Sequence, residues 1–437
     1  MKKWVMKMMI MGNKLLLKNV LICVFAFLIM LLPRRLYFLG AFSYRIVILF
    51  ALCFCLLLQK GKLSVSHKIV NLPMVLYFVI TGIISFTYMQ FSTGIGYLID
   101  TALVLVLMYN LLKTKEEFEL FINVFLVFLT LYAILGIFEC LTGFNIWDLT
   151  ASSGFQRYRY GLYRSYGSST NFTNNAAFLM LCLPLVGWKL QQEEVHKWKY
   201  AVLYGLVLLN VLATLTRSII LCTILLQLLW LVKMGLLKFI KKHFIPILIA
   251  ASAVVLILHI PAVSAYADQF LAMFIALYDE ETASEITASF GSNANGTGQR
   301  MLLYSWIYEA VKDKLFFGLG PNHLFEYAWV TKTGKRMIKN SIENQYLVHL
   351  YRYGITGLIS YLLMIVSILL GLWKNREYNL GGRGRRLTFG FMAGTAAFIY
   401  FISGLSFAAS DDLRMLFLIL SIFLIHRNRF EKAEPGE

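Results

Sequence analysis

The stretch "KNSIENQYLVHLYRYGITGL" (339–358) sets a carboxylate, Glu343, and an amide, Asn344, where a long polar run gives way to an apolar one. Asn344 or Ser341 suits the cap of a helix, and Glu343 suits its positive end. What else the pair could do depends on the cations of the same region. Arg300, in "GTGQRMLLYSW", stands at the start of a helical pattern. Free N–H groups there attract anions, and a guanidinium adds bidentate recognition of phosphate. Arg217, in "LATLTRSIILC", sits in a hairpin so tight that two apolar runs nearly touch. A charge this close to hydrocarbon either snorkels to the interface or serves a function. Arg164, in "YRSYGSSTNFTNNAAF", has Arg157 and Arg159 beside it.

The elements that must position these residues are membrane helices. The chain has 437 residues, 59% hydrophobic and only 15% charged, whereas soluble domains are about half apolar and a quarter charged. Its apolar residues come in blocks that predict about twelve spans. These are 19–33, 40–58, 72–90, 95–112, 118–141, 174–188, 199–215, 217–232, 244–260, 345–373, 387–406 and 413–426. The runs are too long and too evenly apolar for barrel strands, so the class is an all-α integral membrane protein. The first run, followed by Pro33-Arg34-Arg35, reads as a retained span and not a cleaved leader.

With the N-terminus in the cytoplasm, the inside segments hold 25 lysines and arginines and the short outside loops hold 4. This bias sets both termini inside. It also accounts for the net charge of +18 without nucleic acid as a partner, since cations between spans meet anionic headgroups. Residues 1–260 then carry spans one to nine, 261–343 form a large outer loop, and 344–437 carry the last three spans and a tail. The loop is not a linker. Leu302, Leu303, Trp306, Ile307, Ala310, Val311 and Leu315 recur at helical spacing up to Gly318 and Gly320-Pro321, and 266–278 is a second amphipathic stretch. Short helices at the outer surface are expected. The six cysteines all lie in apolar segments and support neither a disulfide framework nor a zinc site. Asp411-Asp412 has no histidine beside it and is expected to cap the last span. No metal or other cofactor is expected.

The arginine hairpin, the loop opening "GQR" and "LYSW", the segment "FFGLGPNHLF" and the close "ENQYLVHLYRYGITGLISYLLMI" together resemble the bacterial O-antigen ligase/polymerase family (Wzy/WaaL type). The motifs cover roughly 160–373. The resemblance implies a GT-C-like membrane glycosyltransferase. Such an enzyme takes a glycan from undecaprenyl diphosphate on the outer face of the bacterial cytoplasmic membrane and passes it to an acceptor glycan. Membrane lipids, a flippase and a chain-length regulator are the implied partners. By this likeness Arg217 and Arg300 hold the diphosphate. Arg164, with Gly167 and Asn171 after it, resembles an arginine–glycine–asparagine segment of the family. Glu343 stands where ligases usually carry a histidine followed by asparagine. It is the expected general base, Asn344 orients acceptor or base, and the departure from histidine favours a polymerase over a ligase. The chemistry is coherent: arginines neutralise charge on a departing diphosphate, and a carboxylate takes the proton of the attacking hydroxyl.

A ligase acting on a lipid or protein acceptor is the nearest alternative. A flippase or transporter is the rival from another class. It would show repeats and midplane charges. No repeat is visible, and Arg45 and Asp100 are the clearest intramembrane candidates.

Overall fold

The computed structural model describes residues 2–31, 37–38, 42–60, 63, 71–90, 103–149, 158–159, 162–169, 171–193, 195–235, 298–330, 336–339, 342–378, 387–406 and 413–430. The helices are α1 (Lys2–Met30), α2 (Tyr44–Lys60), α3 (Leu72–Thr87), α4 (103–111), α5 (Lys115–Thr142), α6 (Phe172–Gln192), α7 (Lys197–Ala213) and α8 (Arg217–Met234). They continue with α9 (Gly298–Val311), α10 (Gln345–Lys374), α11 (Phe389–Ser403) and α12 (Arg414–Arg429). Every expected span except 244–260, which lies outside the described residues, overlaps one of these helices. Segment 266–278, Arg157, Asp100 and Asp411-Asp412 also lie outside them. Among the described residues α5, α8 and α10 are long and apolar enough to cross a membrane, and Leu16–Met30, Val47–Leu58, Leu72–Thr87 and Phe389–Ser403 are shorter apolar helices. The chain is a helical membrane protein.

Among the described residues three short antiparallel hairpins interrupt the helices: Tyr37–Phe38 with Phe42–Ser43, Tyr158–Arg159 with Leu162–Tyr163, and Tyr327–Val330 with Arg336–Lys339. The last lies within 261–343, for which helices alone are expected from the sequence. Tyr327, Trp329 and Val330 favour extended backbone, and the intervening "TKTGK" is turn-prone.

α6 is the axis of the bundle. Its residues from Asn174 to Lys189 are all buried, as a helix apolar on every side must be. α7, α8, α11 and α12 pack around it. α5 begins at a capping box made by Thr114 and Glu117 and ends at Gly143, whose φ of 73° is the left-handed stop that glycine permits. Glu117 also pairs with Lys18, which fixes α1 to α5.

α10 departs from the expected single span 345–373. Gly354 has φ 66° and ψ −166°, and the helix breaks there. The two legs fold against one another. The His349 ring stacks on Tyr361 with centroids 3.9 Å apart and planes at 15°. A straight helix would hold residues twelve apart at about 18 Å. The second leg, 355–374, is about 30 Å long by itself, enough for the hydrocarbon core. In the first leg, 345–353, His349 accepts from Tyr77 Oη at Nε2 (2.9 Å) and donates from Nδ1 to the Gln345 carbonyl (2.9 Å).

The backbone groups freed at the break are taken up by residues 315–320. Leu319 N–H donates to Tyr351 O (2.9 Å), Gly320 N–H to Arg352 O (3.0 Å) and Ile355 N–H to Leu315 O (2.8 Å). This pairing supplies the partners that buried backbone requires. It also explains why "FFGLG" and "YRYGITG" are rich in glycine. A Cβ on Gly354 would strike the Phe316 backbone, and one on Gly318 would strike the Gly354 nitrogen. Gly354→Ala should therefore cost on the order of 1–3 kcal/mol in backbone strain alone, seen as a lower melting temperature in detergent. Gly371→Ala is the control: that position meets nothing within 4 Å, and helical Gly→Ala is stabilising by roughly 0.5–1 kcal/mol.

Candidate functional site at the ends of α6, α8, α10 and α11

The α7–α8 hairpin is closed by Thr214-Leu215-Thr216, with Leu215 at φ 48°. A branched side chain rarely takes that conformation, so the turn is held by its surroundings. Thr216 spends its hydroxyl on Thr214 O (3.2 Å) and makes no side-chain cap to α8. Arg217 is the first residue of α8 and is only 9% exposed. A cation at this end opposes the helix dipole, and the same end favours an anion.

Arg164 reaches this hairpin from the other side. Its Nε donates to Thr214 O (3.0 Å), a terminal nitrogen donates to Thr216 Oγ1 (3.4 Å), and the guanidinium lies 3.8 Å over the Phe172 ring at the start of α6. Arg164 and Arg217 thus flank one turn, although 52 residues separate Arg164 from Thr216.

Asn344 caps α10. Its Oδ1 accepts from Tyr346 N–H (2.9 Å) and Leu347 N–H (3.0 Å). Its Nδ2 donates to Leu405 O (2.9 Å) and Tyr304 Oη (3.3 Å). Gln345 N–H donates to Gly404 O (2.7 Å), so the start of α10 is pinned to the end of α11. Of the two capping candidates, Asn344 is the cap, and its polar atoms are engaged within the protein. Glu343, half-buried, precedes it and is not the cap. Arg300 lies in the first turn of α9, one helical turn before Tyr304. α9 lays Leu303, Ile307 and Val311 against Val348 and Tyr351 of the first leg of α10.

The register of α8 on α11 relates the two groups. Trp230 Nε1 donates to Thr395 Oγ1 (2.7 Å), and Lys233 lies 5.3 Å over the Phe391 ring. Counting along the helices at 1.5 Å per residue, Arg217 stands about 20 Å beyond Trp230 and Gly404 about 14 Å beyond Thr395 in the same direction. The arginine hairpin and the Glu343–Asn344 corner therefore lie toward the same end of the bundle, about one helical turn apart in height. Of the nearby histidines, His349 is 1% exposed with both ring nitrogens engaged, and His323 is exposed with its Nδ1 2.7 Å from Tyr351 Oη. Among the described residues no group of three or more His, Cys, Asp or Glu is gathered.

Glu139, near the C-terminal end of α5 and not among the expected site residues, is 2% exposed and bonded to the Arg164 segment. A lone carboxylate in the apolar run "LYAILGIFECLTG" is the signal for it.

No curated protein matches the chain. Residues 202–362, which hold Arg217, Arg300, Glu343 and Asn344, match the family model described as O-antigen ligase.

Proposed function

We propose that the protein is a polymerase of lipid-linked glycan units, with undecaprenyl diphosphate as the leaving group and a growing glycan as acceptor. The family match supports a glycosyltransferase-like membrane enzyme with lipid-linked substrates. The observation that carries the finer reading is the meeting of Arg164 and Arg217 at one turn, toward the same end of the bundle as the Glu343–Asn344 corner. Two guanidiniums at an uncapped helix start stabilise charge on a departing diphosphate. Arg300, opening α9, joins them. Glu343 takes the proton of the incoming hydroxyl, while Asn344 holds the corner in place. The carboxylate at position 343, in place of histidine, favours polymerase over ligase.

In this reading the chain has about twelve spans, both termini are cytoplasmic, and 261–343 roof the outer face of the bacterial cytoplasmic membrane. A flippase supplies the substrate from the inner face, and a chain-length regulator acts beside the enzyme. Purified protein given a lipid-linked repeat unit should produce a ladder of longer lipid-linked glycans. Transfer of single units to a non-glycan lipid or protein acceptor, with no ladder, would assign it as a ligase. Movement of the intact lipid between leaflets without any transfer would assign it as a flippase.

A further inference from the structure

We infer that Glu139 is the positioning residue for Arg164, holding the loop from which that arginine reaches the α7–α8 turn. The inference depends on the reading of Arg164 as a diphosphate ligand.

Glu139 gathers the loop from four directions. Its Oε2 accepts from Gly167 N–H (3.0 Å), Tyr166 N–H (3.2 Å) and Ser165 Oγ (3.3 Å), and its Oε1 accepts from Asn145 Nδ2 (2.7 Å). Two successive backbone N–H groups on one oxygen set the orientation of the peptide between them. The loop needs that hold because its backbone is bent at Gly167, φ 53°, where a Cβ would run into the Tyr132 hydroxyl. Asn145 completes the grip, since its Nδ2 also donates to Gly167 O (3.1 Å) and its Oδ1 accepts from Trp147 N–H (2.7 Å).

Arg164 directly precedes this segment. Ser165 N–H donates to Ala213 O (2.9 Å), so the chain at Arg164 lies between a loop fixed to α5 and a turn closing α7. Ser165, Ser168 and Ser169 are all at most 1% exposed, so the loop itself turns inward while the arginine leaves it toward the turn. A carboxylate is the side chain suited to this place, because every neighbour is a donor and a carboxylate only accepts. A glutamine must turn an N–H₂ toward Asn145 Nδ2. Asn145 cannot flip to relieve the clash without losing its bonds to Gly167 O and Trp147 N–H.

The test is a pair of cycles on purified full-length protein, reading turnover of the lipid-linked repeat unit and melting temperature. Glu139→Gln should lower kcat/KM about tenfold, chiefly through KM, for the loss of one charge-assisted contact. Glu139→Gln with Asn145→Asp should recover to within about threefold of the parent. The introduced glutamine then donates to the introduced aspartate and keeps its oxygen on Tyr166 N–H and Gly167 N–H. The aspartate gives up the bond to Gly167 O, so the recovery stops short of complete. In an Arg164→Gln background, Glu139→Gln should change kcat/KM by less than about twofold, while still lowering the melting temperature. An equal fold-loss in both backgrounds, or no loss from Glu139→Gln at all, would overturn the positioning role. Full activity of Arg164→Gln alone would instead overturn the reading of Arg164 as a ligand of the diphosphate.

Discussion

Glu343→Gln should give a protein that folds and inserts normally but elongates lipid-linked glycan about 10²–10⁴-fold more slowly, the usual cost of losing a general base. The substitution is nearly isosteric and retains a hydrogen-bonding group, so only proton acceptance is removed. Capping is not what it would remove. Asn344 already takes both Tyr346 N–H and Leu347 N–H. What remains for Glu343 as a bystander is its attraction to the positive end of α10, worth roughly 0.3–1 kcal/mol of stability and little activity. Expression, melting temperature and glycan ladders measured on one preparation separate the two. A stable, inactive protein supports the base. An active protein with a slightly lower melting temperature reduces Glu343 to a helix-start charge. Glu343→His is the companion. Partial recovery relative to Glu343→Gln, with the rate rising as pH passes the imidazole pKa near 6.5, locates proton transfer at this position. His349 is a poor substitute, since Tyr77 and the Gln345 carbonyl hold its ring and Tyr361 covers one face.

Arg217→Lys should lower turnover about tenfold or more, because lysine keeps the charge but loses the planar fork that grips a phosphate. Arg300→Lys should do the same from the first turn of α9. The fold should survive, since Thr214 and Thr216 close the hairpin through their own bonds. The burial of Arg217 bears on the competing explanation. An arginine that merely snorkels places its head in water, whereas this one is 9% exposed at the start of a helix. Turnover by each lysine variant, with the melting temperature beside it, is the measurement. Two fully active variants would leave no role for a bidentate contact. Loss of activity with an unchanged melting temperature would support one.

Much of the molecule is legible in its residues because membrane helices are specified locally. A bilayer demands long apolar runs with satisfied backbone, and the runs of this chain overlap helices wherever it is described. The start of α10 at Asn344 is legible for the same reason, since a cap acts on N–H groups two and three residues away. The loop helix is visible in the spacing of Leu303, Ile307 and Val311, which lie against α10 as a buried stripe. The chemistry of single residues, arginine for an anion and carboxylate for a proton, needs only their types.

Distance in the chain is where this kind of reading stops. Gly354 and Gly357 look like aids to close helix packing, but Gly354 breaks α10 and receives the backbone of 315–320, a partner no periodicity reveals. The expected single span 345–373 becomes two legs because that exchange of hydrogen bonds is available only once residues 315–320 have docked. Arg164 looks like ordinary loop charge until Thr214 and Thr216 are seen to hold it. Glu139 shows in the sequence only as a lone carboxylate in an apolar run, and its role stays hidden because most of its donors lie in a loop about 27 residues later in the chain. Residue types and apolar run lengths thus determined the membrane helices and the set of charged candidates. Only the tertiary packing decided which of them share a site, because buried charges and freed backbone groups find their partners across helices and not along them.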